Sequence, residues 1–267
     1  MFLPPTVVVG LHGVLRTHPW LDPAENAADD VLFLAVDRAG AYGWQTVSGW
    51  LHEGGEVTAS HEPTAWAHEE VGGDWTQDGG VRRLAWLGAG VLTDPPRPGL
   101  PVRPIALVLS ETLARAGAVT FTGLDALLPL GATARPTAFH QVELAPWFEL
   151  ADPAARYEVV VTVACRPGDG GVGDGPTLCE AVRDRAQGAL EVSDPVAAGA
   201  DLPGLDLDLD ASLHTEGMSE VLRFTCGVRE WSPDVAVWLV ELVEEALQEA
   251  GRTGPVVVTA SVGRVAG

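Results

Sequence analysis

The sequence contains no lysine: all 16 basic residues are arginine. That excludes a Schiff-base lysine, a P-loop lysine and conjugation to a side-chain amine anywhere along this chain. Ile105 and Asn26 are also the only residues of their kinds, so the pattern reads as GC-rich coding bias rather than avoidance of lysine as such. Cysteine is nearly as scarce. Cys165, Cys179 and Cys226 are odd in number and sit apart in apolar segments, which argues against a disulfide framework or a thiolate zinc site and leaves them as small core residues. No apolar run approaches the roughly 20 residues that span a bilayer. The opening MFLPPTVVVG has neither a basic n-region nor a small-residue cleavage site, so the expectation is a cytoplasmic protein with no membrane partner.

Positive charge is also in short supply. Against 37 Asp and Glu the arginines leave a net charge of −21. Such a field repels phosphate backbones and anionic lipid, which argues against nucleic-acid binding and favours a basic protein partner. At 267 residues with 46% hydrophobic content, the chain is long enough for two ordinary cores.

The C-terminal half has the clearer periodicities. RYEVVVTVACR (156–166) predicts a strand and TLCEAVRDRAQGAL (177–190) a helix. LDLDLDASLH (205–214) alternates strictly, with Leu205, Leu207 and Leu209 in one set and Asp206, Asp208 and Asp210 in the other, as in a half-buried strand. EVLRFTCGV (220–228) is predicted to pair with it as a hairpin. In WSPDVAVWLVELVEEALQEAG (231–251), Ser232 at the N-cap, Pro233 at N1 and Gly251 beyond the C-terminus mark both ends of a helix. A final strand follows at GPVVVTASV (254–262). The resulting β-α-β-β-α-β order predicts a ferredoxin-like α/β sandwich over 154–267.

In the N-terminal half, strands are predicted at TVVVGLHGVL (6–15), DVLFLAVDR (30–38), WQTVSGWL (44–51), VRRLAWLGAGVL (81–92) and RPIALVLS (103–110). Helices are predicted at PTAWAHEEV (63–71) and GLDALLPL (123–130), and no internal repeat is evident. The proline-bearing APWFELADPA (145–154) reads as a boundary, giving domains 1–145 and 154–267.

The layout of the first domain resembles the Nudix superfamily. VLFLAVDRAGAYGWQTVSGWLHEGGE supplies Arg38, Trp44, Gly49, Gly55 and Glu56 in the family's order, and AWAHEEVG supplies Glu69, Glu70 and Gly72. Ala65 and Trp66 stand where the family has its Arg-Glu pair. The resemblance implies a Nudix-like α/β/α sandwich over about residues 5–132, with an incomplete catalytic box. It implies Mg²⁺ or Mn²⁺ held by Glu69 and Glu70, with Glu56 assisting or acting as base. A complete box would hydrolyse nucleoside diphosphate derivatives or similar pyrophosphates, which makes a phosphorylated small molecule a candidate partner. An incomplete one implies a binding or assembly module without efficient hydrolase activity.

Three other features have the residue types of a site. GDGGVGDG (168–175) contains G-x-G-x-x-G, yet Asp169 and Asp174 put negative charge where a pyrophosphate would lie, so it reads as a surface loop. His52, His61 and His68 lack the spacing that one helix needs to hold a metal, and His12 and His140 have no acid at recognisable spacing; the last two read as structural. Asp206, Asp208 and Asp210 begin like a calcium loop, but Ala211 occupies the place of its turn glycine. They read instead as an exposed face that could meet a basic partner.

Overall fold

The structure is a computed structural model that describes residues 5–21, 29–42, 66–91, 99–133, 150–168, 172–196, 204–205, 207 and 215–263; in 29–33 and 66–69 it describes the backbone alone. Among the described residues the chain is mixed α+β, with four α-helices and an eight-stranded antiparallel sheet. The first half runs β1 (Thr6–Thr17), α1 (Asp29–Ala41), β2 (Trp66–Gly72), β3 (Arg82–Val91), α2 (Val102–Ala116) and β4 (Gly117–Pro129), then a 3-10 turn at Leu130–Ala132. The second runs β5 (Tyr157–Cys165), α3 (Gly175–Arg185), β6 (Glu191–Val192), β7 (Glu220–Val228), α4 (Pro233–Glu249) and β8 (Pro255–Val262).

Both halves therefore follow one path, β-α-β-β-α-β. The strand order β2-β3-β1-β4-β8-β5-β7-β6 puts the first strand of each half between its third and fourth. The fourth strands then meet, β4 against β8, from Gly123 opposite Ser261 to Pro129 opposite Pro255. This duplicated topology is an internal repeat that the residues do not show, because what recurs is apolar periodicity rather than any motif.

Several elements differ in kind from expectation. DVLFLAVDR lies in α1, where Ala35 and Ala39, one turn apart, are fully buried. RPIALVLS lies in α2, whose buried Val102, Ile105, Ala106, Leu109 and Leu113 follow the 3-4 spacing, with Pro104 confined to the first turn, where a missing N–H costs nothing. AWAHEEVG is strand β2, not a helix, with Val71 opposite Leu87. GLDALLPL is the end of β4 and the turn after it, laddered to β1 on one side and β8 on the other. The strands paired with β7 are β5 and the short β6, with Val192 opposite Cys226; the partner expected at 205–213 lies outside the described residues except for Leu205 and Leu207. WQTVSGWL lies outside the described residues.

Where end signals were strong, element and expectation agree. Ser232 caps α4 by accepting the Val235 N–H at 3.4 Å. Gly251, at φ +78, lets the Arg252 N–H turn back to the Leu247 carbonyl at 2.9 Å, closing the helix.

The units expected at 1–145 and 154–267 share a single core. Val7, Val9 and Leu11 of β1, Val159, Val161 and Val163 of β5, and the inner faces of α1 to α4 belong to one buried cluster. Across the halves, Arg103 of α2 reaches Glu241 of α4 at 2.5 Å, and Phe121 stacks on Trp231 at 5.4 Å between centroids. The opposite face of the sheet carries a smaller cluster of Leu127, Ala164, Met218 and Val257, against which Val8 and Leu207 pack.

Candidate functional site

The face of the sheet away from the main core holds the most concentrated chemistry among the described residues. Strand register sets Gly72, Trp86, Gly10, Asp125, Thr259, Thr162 and Arg223 in one line across β2, β3, β1, β4, β8, β5 and β7. Asp125 sits at the β4–β8 seam and is 5% exposed. Its Oδ1 accepts from Arg83 Nε at 3.0 Å and lies 2.6 Å from His12 Nε2, while its Oδ2 accepts from Arg83 Nη2 at 2.6 Å. The Arg83 guanidinium lies 5.1 Å from the Trp86 ring centre, and the Trp86 indole rests against Gly72.

Glycine makes this possible at Gly10. A Cβ there would lie 2.2 Å from Asp125 Oδ1 and 2.3 Å from Arg83 Nε, so any side chain would break the pair. Burial pushes the Asp125 carboxyl up, but the charge of Arg83 and the His12 hydrogen bond outweigh it and hold Asp125 below its ordinary range. An ionised carboxylate with both oxygens engaged is a poor general base or metal ligand. The cluster is suited to locking β1, β3 and β4 in place. Beside it, the buried Thr259 hydroxyl has no hydrogen-bond partner among the described residues.

The residues singled out in the sequence are not brought together here. Glu69 lies in β2, at the register shift between His68 and Glu70. Glu70 is exposed on the same edge strand, opposite Gly88. The helix that would gather these carboxylates around Mg²⁺ or Mn²⁺ is not formed. Glu56 lies outside the described residues, as do Trp44, Gly49, Gly55, His52, His61 and His140. Arg38 is in the last turn of α1, paired with Glu111 of α2. No group of three or more possible metal ligands occurs among the described residues.

Asp206, Asp208 and Asp210 also lie outside them, but two leucines of that segment are placed. The Leu205 N–H donates to Ser261 Oγ at 3.1 Å, and its side chain packs at Gly123. Leu207 packs on Leu127, Ala164, Met218 and Val257. Leu205 and Leu207 thus lie against the β4–β8 seam, on the face of the sheet away from the main core.

The cluster was missed in the sequence because its acid is 113 residues from His12 and stood inside a segment read as a helix. A lone aspartate in the apolar run GLDALLPL was the available signal: on a buried strand it demands a cation. His12, which reads in the sequence as having no acid at recognisable spacing, has Asp125 as its partner.

A second buried acid lies in the helix layer. Glu244 of α4 is 5% exposed. Gln248 Nε2 donates to it at 3.1 Å, and the Leu100 amide ahead of α2 also hydrogen-bonds it. Burial, with Glu241 and Glu245 adding like charge, pushes its pKa up to about 8.

No known protein family, curated protein or solved structure matches this chain.

Proposed function

We propose that the protein is an acidic binding or assembly module, built from two fused ferredoxin-like units, that engages a basic partner through the segment bearing Asp206, Asp208 and Asp210. The observation that carries this reading is the anchoring of Leu205 and Leu207 on the sheet, by a main-chain bond to Ser261 and by apolar packing. Sequence alternation assigns the aspartates to the other set, which leaves them for water or a partner. The net charge of −21 would steer a cationic surface toward them, with an attraction screened over about 8 Å at physiological salt.

The competing activity is hydrolysis of a nucleoside diphosphate derivative by Glu56, Glu69 and Glu70 with Mg²⁺ or Mn²⁺. A strand at Glu69 and Glu70 weakens it, because the resemblance relies on a helix to converge those carboxylates. Two measurements separate the readings. Protein captured from the native host is expected to associate more slowly as salt rises, and Asp208→Asn with Asp210→Asn to reduce the on-rate several-fold. Phosphate release from nucleotide diphosphates with either metal is expected at background level. Turnover abolished by Glu69→Gln and Glu70→Gln would overturn the binding reading, as would a salt-independent on-rate.

A further inference from the structure

The helix layer, on the other side of the sheet from Leu205 and Leu207, holds an open cleft of about 590 Å³ between α1 and α2, a volume within the range of small-ligand sites. Leu34, Asp37, Arg38 and Ala41 line it at the spacing of one helical face, opposite Glu111 and Arg115 of α2. The charges inside are not equivalent. One oxygen of Glu111 accepts from Arg38 Nε, and the other accepts the Tyr42 O–H at 2.6 Å. These bonds hold the Glu111 carboxyl below its usual range and satisfy both partners. Asp37 and Arg115 also line the cleft and make no hydrogen bond or close ion pair among the described residues, although the Arg115 charge adds to the pull on the Glu111 carboxyl. Between them Leu34 leaves apolar surface open to solvent, 45% exposed.

A simple anion has little reason to enter, since the whole molecule repels it. A simple cation has no reason to prefer Asp37 to the other surface acids. A molecule carrying both charges is neutral to the overall field and satisfies both unpaired groups at once. We infer that the cleft binds a small zwitterion, with its ammonium at Asp37, its carboxylate at Arg115 and an aliphatic body against Leu34 and Ala41. This goes beyond the binding reading above and stands apart from it, because the cleft shares no residue with the acidic segment.

Titration calorimetry of the full chain with L-leucine and leucyl-leucine tests it. The controls are isocaproate, which lacks the ammonium, and isoamylamine, which lacks the carboxylate. The expected result is saturable binding of at least one zwitterion and of neither control. Arg115→Gln and Asp37→Asn, both at exposed positions, should each weaken it about fivefold, the worth of one exposed ion pair. Glu158→Gln, at an exposed position of β5 outside the cleft, should leave it unchanged. Absence of saturable binding by both zwitterions, equal binding of a control, or indifference to both cleft substitutions would overturn the inference.

Discussion

Glu244 shows how a single residue can make the fold sensitive to pH. Its folded pKa of about 8 lies above the ordinary carboxylate value of 4.5, so between those values the folded chain holds a proton that the unfolded chain has lost. Stability is then fully present below about pH 4.5 and is lost progressively as pH rises through 8, where the charge must form in the core. Glutamine keeps the shape and the hydrogen-bonding capacity without the charge. Thermal melts of Glu244→Gln are expected to match the parent at pH 5 and to exceed it at pH 9, by about 2–4 °C for each kcal/mol removed. Identical pH profiles for the two proteins would place the carboxyl in water. The sequence shows four acids in VELVEEALQE, but Glu241, Glu244, Glu245 and Glu249 fall within one arc of about 140° of the helix, and nothing in the pattern shows that Glu244, at the edge of that arc, faces the core.

At the scale of elements, Asp125 ties three strands together through His12 of β1 and Arg83 of β3. Removing its charge leaves Arg83 reaching toward an uncompensated site, and loss of one partner from such a buried pair costs about 3–5 kcal/mol. Urea unfolding of Asp125→Asn is expected to show a loss of that order. Asp125→Leu combined with Arg83→Met should recover most of it, since desolvation of both charges is relieved together. A loss under about 1 kcal/mol for the single variant would show the cluster to be incidental. The legibility of the elements themselves divides along physical lines. Helix α4 was readable from Ser232, Pro233 and Gly251, and β5, β7 and β8 from β-branched runs. Helices α1 and α2 were read as strands because VLFLAV and IALVL are short apolar runs in which period 2 and period 3.6 cannot be told apart. Strands β2 and β4 were read as helices from Ala, Glu and Leu content, a propensity that sheet pairing on one or both sides overrides. The candidate site depends on these elements: Asp125 is hidden in a segment that reads as a helix but forms β4, and Glu69 and Glu70 converge only on a helix, where the structure has β2.

For the whole molecule, the consequence is that neither half is complete. The β4–β8 ladder joins the fourth strands of two equivalent units, and the main core runs beneath the seam. Separation would leave each half with a long unpaired edge strand and an uncovered helix face, a condition that favours association. The proline-bearing stretch near 145–154, which reads in the sequence as a boundary between units, connects two halves of one sheet. Production of residues 1–149 and 150–267 as separate chains tests this account most directly. Alone, each fragment is expected to unfold without a sharp transition or to self-associate; mixed or co-expressed, they should form a one-to-one complex that melts cooperatively. A monomeric 150–267 fragment with a sharp transition of its own, and no affinity for 1–149, would contradict it.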